Sequence, residues 1–168
     1  KNDSRTDCKN KMKILVAKDA GYCFGVRDAV NLATKTGAEY DSVYMLGDIV
    51  HNERVVSDLE KSGSRVVNDL SDIPEDKPVL FRAHGTDPKV WKDAQKKKLN
   101  IIDATCPLVT EIHDEIKLLE SENRKTIIIG DHNHDEVVGI AAQVKNPIII
   151  SNVEEAVSLR KMKRAGVV

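Results

Sequence analysis

The chain has 168 residues, 40% of them hydrophobic and 32% charged, with a formal net charge of −1. That is enough apolar material for a core of one or two small domains. The balanced charge, without an acidic or basic tail, leaves no footprint for a nucleic-acid partner, and no apolar run approaches the roughly 20 residues that span a bilayer.

Residues 1–12 are polar, include Cys8 and hold no apolar signal core, so a disordered tail is expected there. The three cysteines lie at wide, unpaired spacings, which favours a reducing compartment over a secreted disulfide framework. An apolar run at 13–17 predicts the first strand, within an N-terminal segment 13–22. Further strands are expected at 42–46, 79–82, 100–102, 126–129 and 147–150, with helices at 25–36, 52–62, 88–98, 108–122, 136–144 and 153–162. Short apolar strands alternating with helices of this length indicate parallel sheets flanked by helices, an α/β fold. Lys96-Lys97-Lys98 reads as a solvated helix end.

The alternation also repeats. Cys23 and Cys106 are 83 positions apart, and so are Gly47 and Gly130, Asp48 and Asp131, His51 and His134, and Glu53 and Glu136. This common offset indicates a duplicated α/β unit of about 80 residues, the first copy covering 23–105 and the second 106–168. In the first copy, the run 79–81 leads into Arg82-Ala83-His84-Gly85; the matching run in the second is 166–168, where the sequence stops. We therefore expect this chain to be a portion of a longer protein.

Five motifs could carry chemistry. In Gly21-Tyr22-Cys23-Phe24-Gly25 and Ala104-Thr105-Cys106-Pro107, a cysteine sits at a strand-to-helix turn, where the helix N-terminus favours a thiolate. Thr105 or Asp103 is placed to cap the second of these helices. The other three are His51-Asn52-Glu53, Arg82-Ala83-His84-Gly85-Thr86 and His132-Asn133-His134-Asp135-Glu136. All five fall beyond the carboxyl ends of strands, where open α/β sheets bind ligands. Histidines there can donate hydrogen bonds to an anion, and a sheltered Glu136 can act as general acid. His132 is ambiguous, and His113, inside a helix, is read as structural. A zinc hydrolase built on His132, His134, Asp135 and Glu136 is an alternative reading of the same residues.

In order and spacing, Ala-Gly-Tyr-Cys-Phe-Gly-Val, Ile-Val-His-Asn, Arg-Ala-His-Gly, Asp-Ala-Thr-Cys-Pro-Leu-Val and the Asp-Glu-Val-x-Gly following His134 resemble the LytB-type reductases of isoprenoid synthesis, over nearly everything from Lys13 to Val168. The resemblance implies three similar α/β units around a pseudo-three-fold axis, of which this chain holds two, with 13–22 pairing with the third. It implies reduction of 4-hydroxy-3-methylbut-2-enyl diphosphate, an allylic diphosphate, to isopentenyl and dimethylallyl diphosphate in the non-mevalonate pathway. It also implies a [4Fe-4S] cluster with Cys23 and Cys106 as two of three cysteine ligands, the third lying beyond residue 168. His51, His84 and His134 would then bind the diphosphate, and Glu136 would supply the proton. An electron donor such as ferredoxin or flavodoxin and a cytoplasmic location follow, a plastid-type organelle being the alternative. The family's usual proline between the last His and Glu is Asp135 here, and its carboxylate is expected to repel a diphosphate. A degenerate, non-catalytic diphosphate-binding module is the remaining alternative.

Overall fold

The computed structural model describes residues 13–18 and 20–168, so the expected tail at 1–12, with Cys8, lies outside the described residues. The elements in chain order are α1 (Phe24–Glu39), β1 (Val43–Leu46), α2 (Glu53–Lys61), β2 (Ser64–Val67), a 3-10 turn (Leu70–Asp72), β3 (Pro78–Phe81), α3 (Pro88–Lys96), β4 (Asn100–Asp103), α4 (Pro107–Ser121), β5 (Lys125–Ile129), α5 (Asp135–Ala141), β6 (Ile148–Ile150), α6 (Val153–Ser158) and β7 (Ala165–Val167). All strand pairs are parallel, and they form two sheets in the orders β2-β1-β3-β4 and β6-β5-β7.

The first sheet is covered on both faces. Val43, Met45 and Leu80 pack with Ala29, Ala33, Val56 and Leu59 of α1 and α2. The alternate residues Tyr44, Val79 and Phe81 pack with Ala94 and Trp91 of α3. Phe81 and Trp91 meet edge to face, with centroids 4.9 Å apart. Burial on both faces explains why β3 is an unbroken apolar run. In the second unit, Ile128 packs with Ile116 of α4 and with Val137 and Ile140 of α5. The two sheets agree in detail: Gly47 N–H donates to Val67 O at 2.8 Å at the end of β1, and Gly130 N–H donates to Ile150 O at 2.9 Å at the end of β5.

Three sequence expectations need correction. Residues 13–17 form no strand; Ile14, Leu15 and Val16 are 76%, 79% and 80% exposed, because among the described residues this stretch has no neighbouring strand to complete a ladder. The short strand β2 and the 3-10 turn were not expected. Gly63, at φ +104°, turns the chain out of α2 and directly into β2. Neither Thr105 nor Asp103 caps α4, because the cap position is Cys106. Asp103 instead accepts from Thr105 N–H at 3.0 Å and from its hydroxyl at 2.5 Å. The run Lys96-Lys97-Lys98 closes α3: Lys96 pairs with Asp93 at 2.9 Å, and Lys97 Nζ donates to Leu70 O at 2.6 Å. Among the described residues no helix is long and apolar enough to cross a membrane.

Candidate active site

Cys23 and Cys106 occupy the same place in their units, each as the N-cap residue of a helix whose side chain makes no capping hydrogen bond. Both are free thiols; Cys23 is exposed and Cys106 half-buried. Gly25, buried in the first turn of α1, lets Cys106 pack against the start of that helix: a Cβ there would stand 2.5 Å from Cys106 Sγ and 3.2 Å from its Cβ. Only glycine lets that sulfur seat against the start of α1. Thiolates at helix N-termini are soft donors of the kind that iron–sulfur centres use, and these two could supply part of such a set. We expect Gly25→Ala to displace the Cys106 sulfur and sharply lower iron retention after anaerobic reconstitution, while the circular-dichroism spectrum keeps its native shape.

The three histidines expected to bind a ligand converge from separate loops. The His51 and His84 rings stack with centroids 4.0 Å apart, and His134 stands 5.6 Å from His51 and 6.3 Å from His84. His134 caps α5: its Nδ1 accepts from Glu136 N–H at 3.2 Å. In the neutral ring that leaves Nε2–H as the outward donor. Glu136 follows in the first turn of α5 and is half-buried. The 82–85 loop that carries His84 also touches a cysteine, since Cys106 N–H donates to Ala83 O at 3.0 Å.

His84 Nδ1 is buried and finds no hydrogen-bond partner among the described residues. Burial pushes the His84 imidazole down from 6.5 to about 4, helped by the neighbouring charges of His51 and Arg82 and opposed by Asp135. The unfolded chain takes up this proton near the ordinary histidine value, whereas the folded chain resists it. Stability should therefore be fully present above 6.5 and fall as pH drops toward about 4. Urea midpoints across that window should decline less steeply in His84→Gln than in the parent. His113, which burial also lowers, contributes to the residual slope.

Asp135 does not stand as a bare carboxylate. Arg82 Nη1 donates to its Oδ2 at 2.9 Å, across 53 positions of sequence. The repulsion expected from an extra carboxylate is thus compensated by a guanidinium from the other unit. Asp135 also places an oxygen within 4.8 Å of a ring nitrogen of His51 and one of His84. His132 turns away, its Nε2 held by Glu155 of α6 at 3.0 Å, so the His132-based zinc set does not assemble. His113 is structural, as read: it packs on Gly85, where a Cβ would come within 2.6 Å of its Cε1. Sequence reasoning missed the parts played by Arg82 and Gly139. Gly139 lets α5 approach the His84 carbonyl, which would lie 3.2 Å from a Cβ at that position.

A family model described as LytB protein matches residues 14–168. The chain belongs to the LytB family. Among curated relatives, the 4-hydroxy-3-methylbut-2-enyl diphosphate reductase of Alkaliphilus oremlandii is 40% identical over 148 residues, 87% of this chain and 53% of that protein. The enzyme of the same name from Wigglesworthia glossinidia brevipalpis is 39% identical over 154 residues, 89% of this chain and 49% of its own length. The chain thus spans about half the length of the curated relatives it matches. Of solved structures, the E-1-hydroxy-2-methyl-but-2-enyl-4-diphosphate reductase from Plasmodium falciparum superimposes with a TM-score of 0.85 at 34% identity, covering 89% of this chain and 48% of that one. A second, described as the terminal enzyme of the non-mevalonate pathway, gives 0.80 at 33% identity, with 92% and 56% covered. Within the LytB family, the parallel-sheet architecture expected from the sequence is the one found.

Proposed function

We propose that this chain is part of a reductase that converts 4-hydroxy-3-methylbut-2-enyl diphosphate to isopentenyl and dimethylallyl diphosphate. The observation that carries this reading is the convergence of two sets of residues around one loop. Residues 82–85 present His84 to the histidine group and, through Ala83 O, hold the backbone of Cys106. The histidine cluster and one of the two thiols thus share one turn, which suits a reaction at an allylic diphosphate. Cys23 and Cys106 would supply two ligands of a [4Fe-4S] cluster, which when bound would provide electrons and a Lewis-acidic iron.

The chain's own residues have distinct tasks. His51, His84 and His134 face the diphosphate; His134 offers Nε2–H because its Nδ1 is committed to the helix cap. Glu136, half-buried and held at the start of α5, gives up a proton as the C–O bond breaks and the hydroxyl leaves as water. Two electrons from a donor such as ferredoxin or flavodoxin and two protons complete the balance. The cytoplasm or a plastid-type organelle would provide the reducing surroundings. The division into units at 23–105 and 106–168 is part of the same proposal, supported by the shared strand order of the two sheets.

Anaerobic reconstitution of the full-length protein with iron and sulfide, followed by calorimetry with the allylic diphosphate, tests the reading. We expect a brown, oxygen-sensitive protein that binds the diphosphate. A colourless protein that takes up no iron and binds no diphosphate would overturn it. Stoichiometric zinc lost together with a hydrolytic activity on chelation would replace it with the hydrolase.

A further inference from the structure

We infer that Arg82 and Asp135 are positioning residues, an inter-unit tether that fixes the histidine cluster. For its ligand, the inference rests on the diphosphate reading above.

Asp135, Gly139 and Gln143 recur at intervals of four, one face of α5 and the turn that follows it. All three contact the 82–86 loop of the first unit. Asp135 accepts from Arg82 at 2.9 Å. Gly139 lies under the carbonyls of His84 and Gly85, which a Cβ would approach to 3.2 and 3.5 Å. Gln143 Nε2 donates to Thr86 O at 3.4 Å. The middle contact lets the surfaces approach without choosing a register, and the last is long. The ion pair is the strong, directional contact, and it sits at the end of the helix that bears His134 and Glu136.

Arg82 is itself braced from the first unit. It lies over Gly47, at φ +73°, where a Cβ would stand 3.1 Å from Arg82 Cδ and 3.2 Å from Nη1. The tether thus runs from the end of β1 through Arg82 to the first residue of α5. Its far side faces the imidazoles, because an Asp135 oxygen lies within 4.8 Å of ring nitrogens on both His51 and His84. The pair is neutral as a whole, so it sets geometry without adding charge to the pocket.

That neutrality separates positioning from simple electrostatics. By charge alone, Asp135→Asn frees a cation and should tighten anion binding, while Arg82→Gln frees a carboxylate and should weaken it. Positioning predicts that both weaken it. The experiment is calorimetry of the 168-residue chain with inorganic diphosphate, run beside the His84 and His134 ring resonances and thermal melting. Each single variant should lose roughly three- to tenfold in affinity, the coupling typical of a contacting pair, and should move both ring resonances. The melting temperature should stay near that of the parent, since a pair this exposed adds little stability. The exchanged double variant Arg82→Asp, Asp135→Arg should recover most of the affinity. Tighter binding by Asp135→Asn, or ring resonances unmoved in both single variants, would overturn the inference. A parent chain that binds no diphosphate would count against the proposed function alone, and the ring resonances would still decide the tether.

Discussion

Replacing Cys23 and Cys106 together with serine should bring iron and sulfide content after anaerobic reconstitution down to background. A serine hydroxyl is a hard, neutral donor that does not match the soft iron–sulfur centre. The loss should come without unfolding, because neither side chain caps its helix and neither is fully buried. The contrast with Gly25→Ala is informative: that variant keeps both thiols and loses only the seat of one. If the double variant held as much iron as the parent, the cysteines would not be the ligands and the proposed function would fail at its centre.

In the full-length protein, Glu136→Gln should lower turnover of the allylic diphosphate by about 10²–10⁴-fold, the range for removing a placed general acid, while leaving substrate affinity nearly unchanged. The substitution is close to isosteric and keeps the backbone N–H that donates to His134 Nδ1, so the cap and the ring orientation survive. His134→Ala should behave differently, weakening diphosphate binding as well, since it removes both the cap and the outward Nε2 donor. Pre-steady-state measurement of the bond-breaking step checks the distinction. A Glu136→Gln enzyme with undiminished turnover would move the proton donor elsewhere.

The candidate site residues were legible because they recur. Cysteine, Gly-Asp and histidine at one offset are a local signal, and the strands that position them are short apolar runs bounded by polar turns. What the sequence concealed depends on encounters between distant segments. Nothing near Arg82 in the chain announces Asp135, 53 positions away, and the spacing of Asp135, Gly139 and Gln143 acquires meaning only once α5 lies on the 82–86 loop. Gly25 reads as a permissive turn residue until the sulfur it accommodates is known. β2 was hidden for another reason: it is four residues long, begins Ser-Arg and has only its first residue fully buried, too little alternation for a period to show. The run at 13–17 erred in the opposite sense, since apolar β-formers give a strand only where a partner completes the ladder.

The convergence of both units on the 82–86 loop also orders events in time. Neighbours in each sheet are parallel, so every pairing waits for an intervening crossover, and such non-local contacts form slowly. The loop must then be met by α4, through Gly85 and His113, and by α5, through Arg82 and Asp135. The three-histidine cluster therefore cannot exist in a chain whose second sheet is still unmade, as it is while the chain is emerging from the ribosome. Until that closure is complete, His51 and His84 stand without His134 beside them, so the three-histidine cluster is among the last features of the fold to form.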